Sequence, residues 1–179
     1  VNKITKGNWE VTKYYGFNES KKTIYYQSVE NGSTNRGVYS IGLNGRNKKF
    51  LSTKDGQNTA AFSKNLNYFI NTFSSSETPP VYSLFSGEGE MLKIIKENIA
   101  LKETLAEYTL SPKEFSTITI NGNNLNMWMI KPANFDENKK YPLLLFQYSG
   151  PGSQQVGNKW NSSNDYWHNM LAQKGIIIA

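Results

Sequence analysis

The first half of the sequence repeats itself with a period of 43 residues. The segment VYSI at 38–41 returns as VYSL at 81–84, and YY at 25–26 returns as YF at 68–69. A repeat of this length indicates that one supersecondary unit is followed by a second unit of the same kind. Because a single small unit cannot bury its own apolar face, the two units are expected to pack against each other.

Each copy of the repeat contains four short runs that are rich in aromatic and β-branched residues, as is typical of strands. The predicted strands are 9–17, 23–29, 38–43 and 48–51 in the first copy, and 59–63, 68–73, 81–85 and 91–97 in the second. Four strands per roughly 40–45 residues is the period of a propeller blade. Residues 1–98 are therefore predicted to be the last two four-stranded blades of a larger β-propeller, with an eight-stranded sandwich as the alternative.

The pattern changes after residue 98. Residues 99–113 are predicted to form a connector helix, because Leu101 and Leu105 lie four apart and Pro112 ends the helical pattern. Two alternating runs, 115–120 and 125–130, flank the turn residues 121–124 and predict a hairpin.

The run Leu-Leu-Leu-Phe at 143–146 is apolar at every position, which predicts a strand covered on both faces. A helix is predicted to follow it, with Ser163 or Asn164 as its cap. Its apolar stripe is formed by Trp167, Met170 and Leu171. A second apolar strand begins at 176–178, so the order strand, helix, strand predicts a parallel βαβ unit. Residues 114–179 are accordingly predicted to be the first part of an α/β-hydrolase domain, which makes the fold class mixed.

Composition excludes several classes of site. The net charge is +6, but the Lys and Arg residues are scattered and form no basic stripe, so no nucleic-acid partner is predicted. The chain has no cysteine and one histidine, so we expect no thiolate site, no metal site and no cofactor. No run of 18 apolar residues is present, so no membrane span is predicted. Because the last apolar strand reaches the final residue, the chain is expected to be a piece of a longer protein.

Three stretches resemble the prolyl oligopeptidase family of serine peptidases, and its dipeptidyl peptidases in particular. They are ITKGNWEV at 4–11, VYSLFS at 81–86 and KKYPLLLFQYSGPGSQ at 139–154, of which the last is the most specific. The resemblance implies an N-terminal propeller that caps a C-terminal α/β-hydrolase domain. It also implies release of N-terminal dipeptides or tripeptides, usually after proline. Gly152 departs from vertebrate members, which carry a cysteine there.

The resemblance implies one catalytic residue in this chain, Tyr148, whose hydroxyl helps to form the oxyanion hole in dipeptidyl peptidases. A neutral phenol is a good hydrogen-bond donor to the charge that develops on a reacting carbonyl oxygen. Ser149 and Ser153 are not predicted to be nucleophiles, because the sequence contains no G-x-S-x-G elbow. His168 precedes any such elbow and is predicted to be a surface or packed helix residue.

The parent protein is therefore expected to be a serine-type exopeptidase acting on peptide substrates, while this piece, without the Ser/Asp/His triad, is expected to be inactive. The alternatives are another propeller-capped α/β-hydrolase, such as an acylaminoacyl peptidase or a prolyl endopeptidase, and a non-catalytic propeller that binds proteins. By resemblance, the location is periplasmic, secreted or at the cell surface, and the parent is expected to form a homodimer. The sequence does not determine substrate-binding residues, P1 specificity or the choice between dipeptides and tripeptides.

Overall fold

The computed structural model describes residues 2–52, 55–148, 150 and 152–179. The first four strands form one antiparallel sheet in the order β1-β2-β3-β4, and the next four form a second sheet in the order β5-β6-β7-β8. The first sheet consists of β1 (Val11–Asn18), β2 (Thr23–Ser28), β3 (Gly37–Gly42) and β4 (Lys49–Phe50). The second consists of β5 (Gln57–Phe62), β6 (Tyr68–Ser74), β7 (Val81–Ser86) and β8 (Met91–Lys96). All eight predicted strands are confirmed, with ends that differ by at most a few residues.

One hydrophobic core joins the two sheets. Tyr25, Val38 and Leu51 from the first repeat pack with residues of the second repeat, among them Phe69 and Phe85. The rings of Tyr25 and Phe69 come from different positions of the repeat, because Tyr25 corresponds to Tyr68 and Tyr26 to Phe69. Tyr26 packs in a separate cluster with Tyr39 and Ile41. Successive residues of a strand point to opposite faces, so the two sheets meet through opposite faces of the repeated unit.

Buried polar groups and a surface ion pair also cross between the sheets. Gln27 Nε2 donates to the carbonyl of Asn58 at 2.6 Å, inside the protein. On the surface, Glu88 accepts bonds from Lys21 at 2.6 Å and Lys49 at 3.2 Å. These two lysines hold the pKa of the Glu88 carboxyl below its usual value. The buried contacts orient the second sheet relative to the first, whereas exposed ion pairs of this kind contribute little to stability.

Helix α1 (Ile99–Ala106) follows the second sheet at the position predicted for the connector, but residues 107–113 of the predicted connector helix are not helical. It has no buried residues, and the side chain of Asn98 at its start donates to the carbonyl of Pro80 at 2.6 Å. The helix is therefore held at its amino end while its sides remain open to solvent.

The hairpin consists of β9 (Glu114–Ile120) and β10 (Asn123–Met129). Its turn is shorter than the predicted four residues, because Asn123 already pairs with Ile120. The two turn residues, Asn121 and Gly122, have φ angles of 50° and 77°. Positive φ at both positions is the requirement of a type I′ turn, which Asn-Gly favours.

The last elements are β11 (Leu143–Leu144), α2 (Ser163–Gln173) and β12 (Ile177–Ile178). The two strands pair in parallel, as predicted, with the helix between them in the chain. Ile130, directly after β10, bridges Ile178 and joins the hairpin to this pair.

The predicted complete burial of residues 143–146 is wrong in this structure. Leu143 is 61% exposed and Leu145 is 69% exposed. The physical reason is that, among the described residues, no element packs over the face of β11 that carries Leu143 and Leu145.

Two expectations for helix α2 are also wrong. Neither Ser163 nor Asn164 caps it: the cap position is Ser162, which makes no side-chain capping bond. The buried face is formed by His168, Asn169 and Ala172, whereas Trp167 is 50% and Met170 44% exposed. Of the predicted stripe, Leu171 is partly buried and does pack against this core. The helix turns its smaller and more polar side towards Trp128 and Ile178, because Ala172 allows close packing there.

Within residues 2–52, 55–148, 150 and 152–179, no helix has the length and apolar character needed to span a membrane.

Candidate functional site

Tyr148 lies just beyond the carboxyl end of β11. The backbone ladder between the two parallel strands continues past β11, since the amide of Phe146 donates to the carbonyl of Ala179 at 2.7 Å. The chain is therefore fixed to within two residues of Tyr148. Tyr148 is 63% exposed, so most of the residue is open to solvent. In sheets with parallel strands, ligands bind at this end of the strands.

The ring of Tyr148 lies directly against the backbone of Gly150. A Cβ atom added at Gly150 would lie 2.6 Å from Cε1 and 2.7 Å from the hydroxyl oxygen of Tyr148. The absence of a side chain at position 150 thus allows the ring to rest on its own loop. Gly152 has a φ angle of 74°, a backbone conformation that glycine adopts without steric cost.

The serines of this loop were predicted not to be nucleophiles. Ser153 donates its amide to the carbonyl of Gly150 at 3.2 Å, and its Oγ accepts a bond from Gln155 at 3.0 Å. Ser149 and Pro151 lie outside the described residues. The bonds described for Ser153 are those of a turn residue, and His168 is not among its partners.

His168 is packed inside the protein, 3% exposed, rather than at the surface. Its ring lies 5.3 Å from the ring of Trp128 and 5.2 Å from that of Phe146, measured between centroids. Burial among these rings lowers the pKa of His168 below its ordinary value of 6.5. The carboxylate of Asp165 opposes this shift, and the ammonium group of Lys113 adds to it. The neutral imidazole is the form that this site favours.

We expect the stability of the chain to fall as the pH drops below 6.5. The unfolded state takes up a proton at about that pH, whereas the folded state takes it up only at a lower pH. Stability rises with pH wherever the unfolded state binds more protons, so this contribution is present above pH 6.5 and lost between that value and the folded pKa. Urea unfolding curves recorded between pH 7.5 and 5 measure this change in the free energy of unfolding. Because His168 is the single histidine of the chain, His168→Phe should flatten the slope in this range, and an unchanged slope would contradict the assignment.

A buried ion pair lies beside His168. Lys113 Nζ is 2.6 Å from Asp165 Oδ1, and the two side chains are 4% and 14% exposed. The same ammonium group lies 4.7 Å from the centroid of the Trp128 ring. Sequence reasoning missed this pair, because 52 residues separate its members and neither stands in a motif.

A cavity of about 230 Å³ borders this pair and is lined also by Trp160, Tyr166 and Leu110. It lies between the connector and helix α2. Within the described residues, no three His, Cys, Asp or Glu side chains lie close enough together to hold a metal ion.

The loop after Tyr148 makes contacts that the sequence did not indicate. Arg36, in the first sheet's β2–β3 loop, donates to the side chain of Gln154 at 2.6 Å. The two residues are 118 positions apart, so no local pattern could have paired them. The candidate site therefore combines Tyr148 at the strand end with a loop that is bonded to the first sheet.

Known proteins share this architecture. Residues 1–80 match the family described as the dipeptidyl peptidase IV (DPP IV) N-terminal region. The crystal structure of Porphyromonas gingivalis dipeptidyl peptidase 4 superimposes on 99% of the chain with a TM-score of 0.92 and 43% sequence identity. The chain is similar to dipeptidyl peptidases of the DPP IV family.

Further dipeptidyl peptidases are similar to this chain. A putative dipeptidyl aminopeptidase IV from Bacteroides ovatus covers 98% of the chain with a TM-score of 0.81 and 28% identity. Dipeptidyl peptidase 4 of Trichophyton rubrum is 37% identical over 164 residues, which is 89% of the chain. A probable dipeptidyl-aminopeptidase B of Phaeosphaeria nodorum is 33% identical over 98% of the chain. The chain spans only 20–21% of the two fungal proteins and 25% of the P. gingivalis structure.

Proposed function

We propose that this chain is part of a serine exopeptidase that removes N-terminal dipeptides from peptides, preferentially after proline. The observation that carries the proposal is the agreement with P. gingivalis dipeptidyl peptidase 4 over 99% of the chain, at a TM-score of 0.92. The match extends over both sheets, the hairpin and the parallel strand pair, in the same order along the chain. It therefore supports a similar arrangement of all these elements and is not limited to one motif.

The two antiparallel sheets are proposed to be the last two blades of a β-propeller, covering residues 1–98. The core shared by the two sheets supports this proposal, because neighbouring blades cover each other's faces. Every residue of β8 is exposed, including Met91, Ile94 and Ile95. An apolar strand of this kind is expected to lie against a further element of the complete protein.

Residues 99–113 are proposed to connect the propeller to the α/β-hydrolase domain, whose first part is residues 114–179. The parallel pair of β11 and β12 with helix α2 between them supports this division. The open face of β11 is accounted for if further strands and helices of that domain cover it in the complete enzyme.

Tyr148 is proposed to donate a hydrogen bond to the oxyanion that forms during acyl transfer. Three features support this role: its position beyond a parallel strand, its exposed side chain and the contact of its ring with Gly150. The triad of the complete enzyme is proposed to lie outside this chain, because the sequence has no G-x-S-x-G elbow. The complete enzyme is also proposed to act as a homodimer in the periplasm or outside the cell.

The proposal predicts that the complete enzyme releases the chromophore from a Gly-Pro substrate with a free amino terminus, while this chain alone releases none. The chain alone should be inactive because removal of a triad member removes nearly all of the catalysis. The measurement is initial-rate absorbance at matched molar concentrations.

The same substrate with an acetylated amino terminus is the control. An exopeptidase that holds the free amine should leave it intact, whereas cleavage would indicate an endopeptidase or an acylaminoacyl peptidase. Absence of activity on all of these substrates would indicate a non-catalytic propeller, and turnover by the chain alone would overturn the assignment of the triad.

A further inference from the structure

The loop that carries Tyr148 is bonded to the first sheet through the side chain of Gln154. Arg36 Nη2 donates to Gln154 Oε1 at 2.6 Å, and Gln154 Nε2 donates to the carbonyls of Ser33 at 2.6 Å and Val156 at 2.8 Å. The oxygen accepts from a cation and the nitrogen donates to two carbonyls. The orientation of this amide is therefore fixed by its partners, because the flipped amide would place donor against donor.

Arg36 is a rigid anchor for this contact. Its amide donates to the carbonyl of Gly56 at 2.8 Å, and its carbonyl accepts from both the backbone and the side chain of Asn58 at 3.0 Å. Asn58 is 1% exposed. Arg36 Nη1 also donates to the carbonyls of Ser33 and Asn35. The backbone of Arg36 is thus bonded to the start of the second sheet, while its guanidinium group is held by two carbonyls of its own loop.

A second attachment follows four residues later at Asn158. Its amide donates to the carbonyl of Thr34 at 2.8 Å, and its side-chain oxygen accepts from the amide of Ser76 at 3.0 Å. Thr34 belongs to the first repeat and Ser76 to the second, so the segment 154–158 is bonded to loops of both sheets.

One turn of the backbone links Gln154 to Tyr148. The amide of Ser153, the neighbour of Gln154, donates to the carbonyl of Gly150. The ring of Tyr148 rests against Gly150. A shift of Gln154 therefore moves the turn, and the turn forms the surface on which the ring lies.

We propose that Gln154 is a positioning residue for Tyr148, and that Arg36 of the blade sheet holds Gln154 in place. The inference rests on the proposed role of Tyr148 in the oxyanion hole. By this arrangement the propeller determines where the phenol hydroxyl stands relative to the reacting carbonyl. A displacement of about 1 Å in such a group can lower the rate by up to about 10²-fold.

The experiment measures kcat and KM of the complete enzyme for a Gly-Pro chromogenic substrate. Gln154→Ala should lower kcat by about 10-fold or more while KM stays within about twofold, because Gln154 acts on the transition state through Tyr148. Arg36→Ala should give the same loss, and the double variant should lose no more than either single variant. Gln173→Ala is the matched control, since its exposed side chain also bonds a distant backbone carbonyl, that of Thr109 at 3.1 Å. It should leave kcat unchanged.

Kinetics of Gln154→Ala in the Tyr148→Phe variant distinguish the positioning role of Gln154 from the proposed role of Tyr148 itself. If Tyr148→Phe lowers kcat and Gln154→Ala has no further effect in that background, Gln154 acts through the phenol hydroxyl. Equal effects of Gln154→Ala in both backgrounds, or a wild-type kcat for Gln154→Ala, would overturn the positioning role while leaving Tyr148 in place. A wild-type kcat for Tyr148→Phe would instead remove the proposed oxyanion donor.

Discussion

Tyr148→Phe is expected to lower kcat of the complete enzyme by about 10²–10³-fold, the cost of removing one oxyanion-hole donor. The change removes one hydroxyl group and keeps the ring that packs on Gly150. KM should change little, because the hydroxyl is required when charge develops on the carbonyl oxygen and not when the ground state binds. Steady-state kinetics with a Gly-Pro chromogenic substrate measure both constants.

Tyr141→Phe is the control for Tyr148→Phe. Tyr141 precedes the same strand at its opposite end, where its hydroxyl accepts a bond from the amide of Asp136 at 2.9 Å. Its loss should cost about 1 kcal/mol of stability and leave kcat unchanged. If Tyr148→Phe retains kcat within about twofold, or if both variants lose activity to the same extent, Tyr148 is not the donor.

Asp165→Asn is expected to lower the free energy of unfolding by about 3–5 kcal/mol, because it leaves the buried ammonium group of Lys113 without its counter-ion. The lysine side chain is 4% exposed, so bulk solvent screens its charge poorly once the carboxylate is lost. The ring of Trp128 offers only a weaker cation–π contact in its place. Chemical denaturation of the chain, monitored by tryptophan fluorescence, measures the loss.

Glu114→Gln is the matched control, because Lys131 and Glu114 form an ion pair with the same 2.6 Å distance but with side chains 32% and 49% exposed. Loss of this exposed ion pair should lower the free energy of unfolding by less than about 1 kcal/mol. The double variant Lys113→Met/Asp165→Asn should recover much of the stability, since it no longer buries an unpaired charge. Equal costs for Asp165→Asn and Glu114→Gln would show that burial is not what makes the Lys113 pair important.

The eight strands of the two antiparallel sheets could be predicted from the sequence because each is a local pattern. Aromatic and β-branched runs, such as those at 23–29 and 68–73, are bounded by turn residues, and the 43-residue repeat aligns one copy with the other. The order of the strands in each sheet follows from short turns, which leave consecutive strands as neighbours. The parallel pair of β11 and β12 was predictable for a similar reason, since two apolar runs separated by a helix favour a βαβ unit.

The faces that are buried could not be read from the same patterns. Trp167 and Met170 lie at helical spacing, yet the helix buries His168 and Ala172 instead. Residues 143–146 are apolar throughout, yet one face of the strand is open in this structure. Burial depends on which other segments are present to cover a surface, and that information is not contained in the periodicity of the segment itself.

By itself, the sequence determined the strands, the repeat, the parallel unit and, through resemblance, the candidate tyrosine. Only the tertiary structure decided which distant groups meet: Lys113 with Asp165, Glu88 with Lys21 and Lys49, and Arg36 with Gln154. The physical reason is that local backbone preferences act over a few residues, whereas these contacts join residues 39–118 positions apart. Such pairs form only after the two sheets and the parallel unit have packed together.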